Sequence, residues 1–175
     1  MRQGTEADFR GWVTRRRDAL RKTAYLLCGD WYLADDLVQE ALSRVYSHWE
    51  RVTANGDPDS YVRRVLVNLS LDHRRRPSRR EEPRAEMPDG ASDSAYPSDG
   101  DRDRVMAALR AVPPGQRTIL VLRYWEDLST EQTAQAVGTS EGNVKSQASR
   151  GLDALRAALE AQDGSPAHMT TKEGT

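Results

Sequence analysis

Four prolines, Pro77, Pro83, Pro88 and Pro97, stand among Gly90, Gly100, several serines and a run of acids, and they cut the chain in two. A segment of that make-up has almost nothing to bury and cannot join a core, so it reads as a flexible, acidic linker. On either side the apolar residues recur at helical spacing: Leu33, Leu37, Ala41, Leu42, Val45 and Trp49 before it, Val144, Ala148, Leu152, Leu155 and Leu159 after it. A third helix is expected from about Asp59 to Arg75, with Tyr61, Val62, Val65, Leu66 and Leu69 on its apolar side, after the turn cluster Asn55-Gly56-Asp57-Pro58. No run alternates with period two. The expectation is an all-α chain of two small helical domains, 1–76 and 102–161, joined by a linker at 77–101 and followed by a disordered tail at 162–175.

Several function classes drop out at once. The chain of 175 residues is too short for a large multidomain enzyme. No run approaches the roughly 20 apolar residues of a spanning helix, and Met1–Asp8 lacks the apolar stretch of a secretory signal, so a cytoplasmic protein is expected. A single cysteine, Cys28, excludes an internal disulfide or a multi-cysteine zinc site; within Leu26-Leu27-Cys28 it reads as a buried, inert thiol. Three scattered histidines supply no metal site, and neither a nucleophile–base constellation nor a glycine-rich phosphate loop is present. The chain is expected to be no enzyme and to need no cofactor.

The net charge of −1 conceals segregation. Seven arginines between Arg63 and Arg80 face only Asp72, a local charge of +6, and eight acids between Glu81 and Asp103 face Arg84 and Arg102, a local charge of −6. A basic block at a helix end is either a solvated terminus or the footprint of a polyanion.

In the second half, Ser129-Thr130-Glu131-Gln132 has the form of a capping box, so a helix starts there and runs to Gly138. Ser140 can cap a second helix that buries Val144, Ala148 and Leu152. Two helices joined by about three residues including glycine form a helix-turn-helix. The outer face of the second carries Glu141, Gly142, Asn143, Lys145, Ser146, Ser149 and Arg150, small, polar and basic, which suits insertion into a DNA major groove or is the solvated face of an ordinary helical hairpin. In the first half, the helix after Trp31-Tyr32 leaves Asp35, Asp36, Gln39, Glu40 and Ser43 on one side, with Arg44 the one i,i+4 partner, for Glu40. Such a face suits a basic protein surface, or is simply solvated.

The run Leu33-Ala34-Asp35-Asp36-Leu37-Val38-Gln39-Glu40 resembles the D-L-V-Q-E signature of sigma-factor region two. The segments Leu120–Ser129 and Gly142–Gly151 are similar to region four of the extracytoplasmic-function (ECF) sigma factors, especially an actinobacterial subgroup. The resemblance spans both domains, in order, and leaves only linker and tail unmatched. It implies a promoter-specificity subunit that binds core RNA polymerase, through the clamp coiled coil of the largest subunit and the flap of the second-largest. Asp35, Asp36, Gln39, Glu40 and Ser43 would dock on the clamp. The loop from about Thr53 to Ser60 and the following helix would read the −10 element with a base flipped out, Asn68 matching the pocket asparagine and Tyr61, Arg63, Arg64, Arg74 and Arg75 touching DNA. Tyr61 is the one clear aromatic there, with Phe9, Trp12 and Trp49 reading as core, so base stacking is thin. Glu141, Asn143, Lys145, Ser146, Ser149 and Arg150 would meet the −35 element. An anti-sigma factor is a further implied partner. About 25 linker residues would span roughly 25–30 Å, linking the two readers so that each raises the other's effective concentration. The competing expectation is a helix-turn-helix regulator that works without core polymerase, for which the Asp36-Gln39-Glu40 face has no use.

Overall fold

A computed structural model describes residues 3–54, 56–75 and 100–163, and every regular element among them is helical. The segment read as a linker and the tail beyond Asp163 lie outside the described residues. Helix α1 (Gln3–Cys28) turns at Gly29, whose φ of 79° suits glycine, into α2 (Trp31–Ser47), capped by the Asp30 side chain on the Leu33 N–H at 3.0 Å. The chain breaks at His48, then forms α3 (Trp49–Ala54) and α4 (Pro58–Arg75). The loop expected over Thr53–Ser60 is thus shorter than read, because Asp57 caps α4 on the Ser60 N–H at 2.9 Å and Pro58 takes the first helical position, where its missing N–H costs nothing.

Beyond the gap come α5 (Gly100–Ala111), α6 (Pro114–Leu120), a π-helical turn (Val121–Trp125), α7 (Thr130–Val137) and α8 (Glu141–Asp163). Two boundaries differ from expectation: α5 starts at Gly100, inside the segment read as linker, and α8 continues through Gln162 and Asp163, where Asp163 pairs with Arg104 of α5. A third difference is inside α8. Leu152 is 38% exposed, and Gly151 is buried in its place because a Cβ there would lie 3.1 Å from Leu120 Cγ. The buried stripe runs Val144, Ala148, Gly151, and Leu152 falls to its side.

In the first half α2 packs between α1 and α4, burying Ala34, Leu37, Val38, Ala41 and Val45 against Leu27, Val62, Leu66 and Val67. Phe9, Trp12 and Trp49 form a ring cluster at 5.1–6.1 Å, so these aromatics are core, as read. In the second half α8 is the spine on which α5, α6 and α7 lie. The two halves also pack together: α7 lies against α4, and the π-turn, α5 and α6 lie against α1. One apolar cluster runs through both, from Trp12 and Leu27 to Leu109, Val112 and Leu122. No helix among the described residues is long and apolar enough to cross a membrane.

Candidate functional site

Three faces carry the sequence-derived residues. On α2, burial of the apolar stripe turns Asp35, Asp36, Gln39, Glu40 and Ser43 outward together, all exposed. Asp35 takes a two-pronged hydrogen bond from Arg21 of α1 at 2.6 and 3.1 Å, and Glu40 pairs with Arg44 at 2.6 Å. Asp36 makes no ion pair among the described residues, so its charge stands open at the centre of the face. Ser43 also borders a groove lined by Phe9, Leu42 and Tyr46, which continues the acidic face with apolar surface.

On α4 the helix turn decides which residues act together. Tyr61, Arg64 and Asn68, at spacings of three and four, share one edge, with Arg64 and Asn68 exposed and Tyr61 half-buried at 6.3 Å from the His48 ring. Asp57 at the helix start is held below the usual carboxylate range, first by its hydrogen bonds from Ser60 and in part by the charge of Arg63. Arg74 and Arg75 lie in the last turn, with side chains outside those described. Arg63 is not with the others. At about 100° per residue it points some 140–160° away from Tyr61 and Asn68, and its Nε meets Glu126 Oε2 of the C-terminal half at 2.9 Å.

The helix-turn-helix forms as its capping chemistry dictates. Ser129 accepts the Gln132 N–H at 3.1 Å, and the Gln132 side chain accepts the Ser129 N–H at 2.8 Å. Gly138 ends α7 at φ 73°, and Ser140 accepts the Asn143 N–H at 3.2 Å to start α8. Glu141, Asn143, Lys145, Ser146, Ser149 and Arg150 are all exposed on α8, and none makes an ion pair among the described residues. The Asn143 amide donates to the Thr139 hydroxyl at 2.8 Å, fixing the side chain before any partner arrives. With the positive end of the helix dipole at Glu141–Asn143 and the charges of Lys145 and Arg150 further along, these residues form a narrow polar ridge suited to a polyanion.

Sequence reading missed the seam between the halves. Glu126 is bound by Arg63 and by the Thr23 hydroxyl. Tyr25 and Trp31 stack at 3.9 Å, with Arg21 over Trp31 at 4.5 Å and Arg110 of the C-terminal half over Tyr25 at 5.6 Å. Buried Arg117 donates to the carbonyls of Arg110 and Val112 at 3.0 and 3.2 Å and reaches that of Leu27 at 3.5 Å. A signal did exist, in the unusual Tyr25/Trp31 pair beside arginines, but nothing in one sequence says which distant residue answers it. No cluster of three or more metal-ligating side chains occurs among the described residues.

Residues 4–80 match the family described as Sigma-70 region 2, and residues 102–155 that described as Sigma-70, region 4. The chain is 39% identical over 163 residues to the RNA polymerase sigma-E factor of Streptomyces avermitilis, covering 93% of this chain and 91% of that protein. It is 30% identical over 146 residues to the ECF RNA polymerase sigma factor SigL of Mycobacterium tuberculosis, covering 81% and 82%. Its fold is that of the sigma factor RpoE, solved in complex with the anti-sigma factor NepR from Bartonella quintana, with TM-score 0.72 and 23% identity over 87% of this chain and 97% of that one.

Proposed function

The chain belongs to the sigma-70 family, among the ECF RNA polymerase sigma factors, and from that premise we propose how its own residues divide the work of initiation. The protein binds core RNA polymerase and directs promoter-specific transcription initiation; it supplies specificity rather than chemistry. The observation that carries the residue assignment is the acidic α2 face, with Asp36 at its centre making no ion pair among the described residues, beside a helix-turn-helix whose exposed polar ridge makes none among them either.

In this reading Asp35, Asp36, Gln39, Glu40 and Ser43 dock on the basic clamp coiled coil, and the C-terminal domain meets the flap. Residues 1–76 act as the −10 reader and residues 100–163 as the −35 reader, with the segment between them as their tether. Tyr61, Arg64 and Asn68 form the edge along which the −10 strand runs. Unstacking one base costs a few kcal/mol, which an amide on its Watson–Crick edge and a stacked ring offset. Arg74 and Arg75 add phosphate contacts at the helix end. Asn143, Ser146 and Ser149 face base edges of the −35 element, and Lys145 and Arg150 its phosphates, with Glu141 at the start of the ridge. In the same reading the protein works in the cytoplasm, where polymerase and chromosome are, and an anti-sigma factor is its proposed antagonist.

The test is gel filtration of the protein with core polymerase, wild type against Asp36→Arg/Glu40→Arg. Co-elution that the double variant loses supports the assignment. Co-elution unaffected by the variant removes the α2 face from the interface.

A further inference from the structure

We propose that Thr23 and Arg63 form a binding cradle for a promoter backbone phosphate, and that the Glu126 carboxylate is its intramolecular occupant in the closed molecule. This rests on the functional reading above and extends it to a contact on α1 and a competitor on the C-terminal half.

The two oxygens of Glu126 are held by different donors, Oε2 by the Arg63 guanidinium at 2.9 Å and Oε1 by the Thr23 hydroxyl. The Arg63 and Glu126 side chains are each only 20% exposed. A guanidinium and a hydroxyl converging on two oxygens of one anion is the donor set that recognises a phosphate as well as a carboxylate. Both donors stand on the N-terminal half and the acceptor comes from the other half; the Ala19 carbonyl, 3.1 Å from the Thr23 hydroxyl, is the alternative acceptor for its single proton when Glu126 leaves. Arg16 lies beside it, hydrogen-bonded to Asp59 of the first α4 turn, with Glu126 adding to the field that holds its charge.

Reading two promoter elements at once requires the halves to separate, because α7 is packed on α4 in the closed form. Separation withdraws Glu126 and leaves Arg63 beside the Thr23 hydroxyl without its hydrogen-bonded anion, Asp57 being the carboxylate that still feels its charge. Promoter DNA is then the anion at hand, since Arg64 and Asn68 of the same helix already lie along its path. Arg63 faces away from that edge by about 150°, so the phosphate it takes belongs to a different backbone segment from the base at Asn68.

The experiment uses a promoter recovered by transcription from a randomised library, bound by reconstituted holoenzyme and by the free protein. In the holoenzyme, Arg63→Ala is expected to lower affinity about tenfold and to flatten the slope of log affinity against log salt by about 0.7–1. Thr23→Val lowers affinity in the same direction, and adds nothing in the Arg63→Ala background. In the free protein, Glu126→Gln raises DNA binding several-fold, a gain that Arg63→Ala abolishes. Arg63→Gln, which keeps much of the side chain's bulk, repeats the holoenzyme measurement if Arg63→Ala melts early. An unchanged salt slope, or a Glu126→Gln protein that binds DNA no better than wild type, overturns the proposal and leaves the pair a structural strut. Failure of the wild type to join core polymerase is a different result, and takes the underlying reading down with it.

Discussion

Asp127 is the one non-glycine residue with positive φ among the described residues, at 52°. It lets the chain leave the π-turn and deliver the Leu128 N–H to the Leu122 carbonyl at 3.0 Å before the Ser129 cap. Asp tolerates the left-handed region better than most residues, and a β-branched residue tolerates it least. Asp127→Val is expected to lower unfolding free energy by about 1–2 kcal/mol, and Asp127→Gly to leave it within about 0.5 kcal/mol, in urea titrations. At the start of α4, Asp57 provides a second residue-level test. Its folded carboxyl is held below the unfolded value, so the stability it contributes is present above about pH 4 and is lost as pH falls through the lower folded value. Asp57→Ala should cost about 0.5–2 kcal/mol at neutral pH, with wild type and variant converging in acid. Neither is legible in the sequence: Asp57-Pro58 reads as part of a turn cluster rather than a helix cap, and nothing in Glu126-Asp127-Leu128 separates a left-handed Asp from an ordinary loop Asp.

At the scale of elements, periodicity carried most of the reading. The acidic face of α2 and the polar face of α8 both emerge as drawn, because burying Ala34, Leu37 and Ala41, or Val144 and Ala148, leaves the opposite side only one way to point. The error at Leu152 shows the limit of that reasoning. Position 151 faces α6 where a Cβ would meet Leu120 and Gln116 at 3.1–3.2 Å, tighter than side chains normally pack, and a hydrophobicity pattern does not count an absent side chain as core. Gly151→Val is therefore expected to force α6 and α8 apart and to destabilise the protein by about 1–3 kcal/mol in thermal or chemical denaturation. On the exposed side of the same helix, Lys145→Ala should weaken promoter binding evenly across sequences and flatten the salt slope by about 1. Asn143→Ala should instead relax selectivity at one upstream base pair, by about 1–3 kcal/mol of discrimination, in a randomised-element selection.

At the scale of the molecule, four prolines and a change of charge divide the chain into two helical halves, with the segment read as their linker outside the described residues, but the contact between the halves was not legible. The seam is built from groups that look unremarkable alone: a Thr on one helix, an Arg among many, and a Glu and an Arg more than 60 residues on. The closed arrangement leaves the α2 face and the α8 ridge exposed while holding their parent halves together. In the proposed reading core polymerase engages first, and opening follows. Dyes on α2 and α8 should report a short distance in the free protein and a longer one on addition of core polymerase; an unchanged distance would contradict opening. The central claim is that one chain reads two promoter elements only when mounted on polymerase. Its most direct test is a footprint of the reconstituted holoenzyme on a selected promoter, beside the free protein. The account predicts protection at both elements with core present, the downstream one weakened by Asn68→Ala and the upstream one by Asn143→Ala, and little protection without core. Equal, sequence-specific protection of duplex DNA by the free protein would contradict it, and would describe a helix-turn-helix regulator instead.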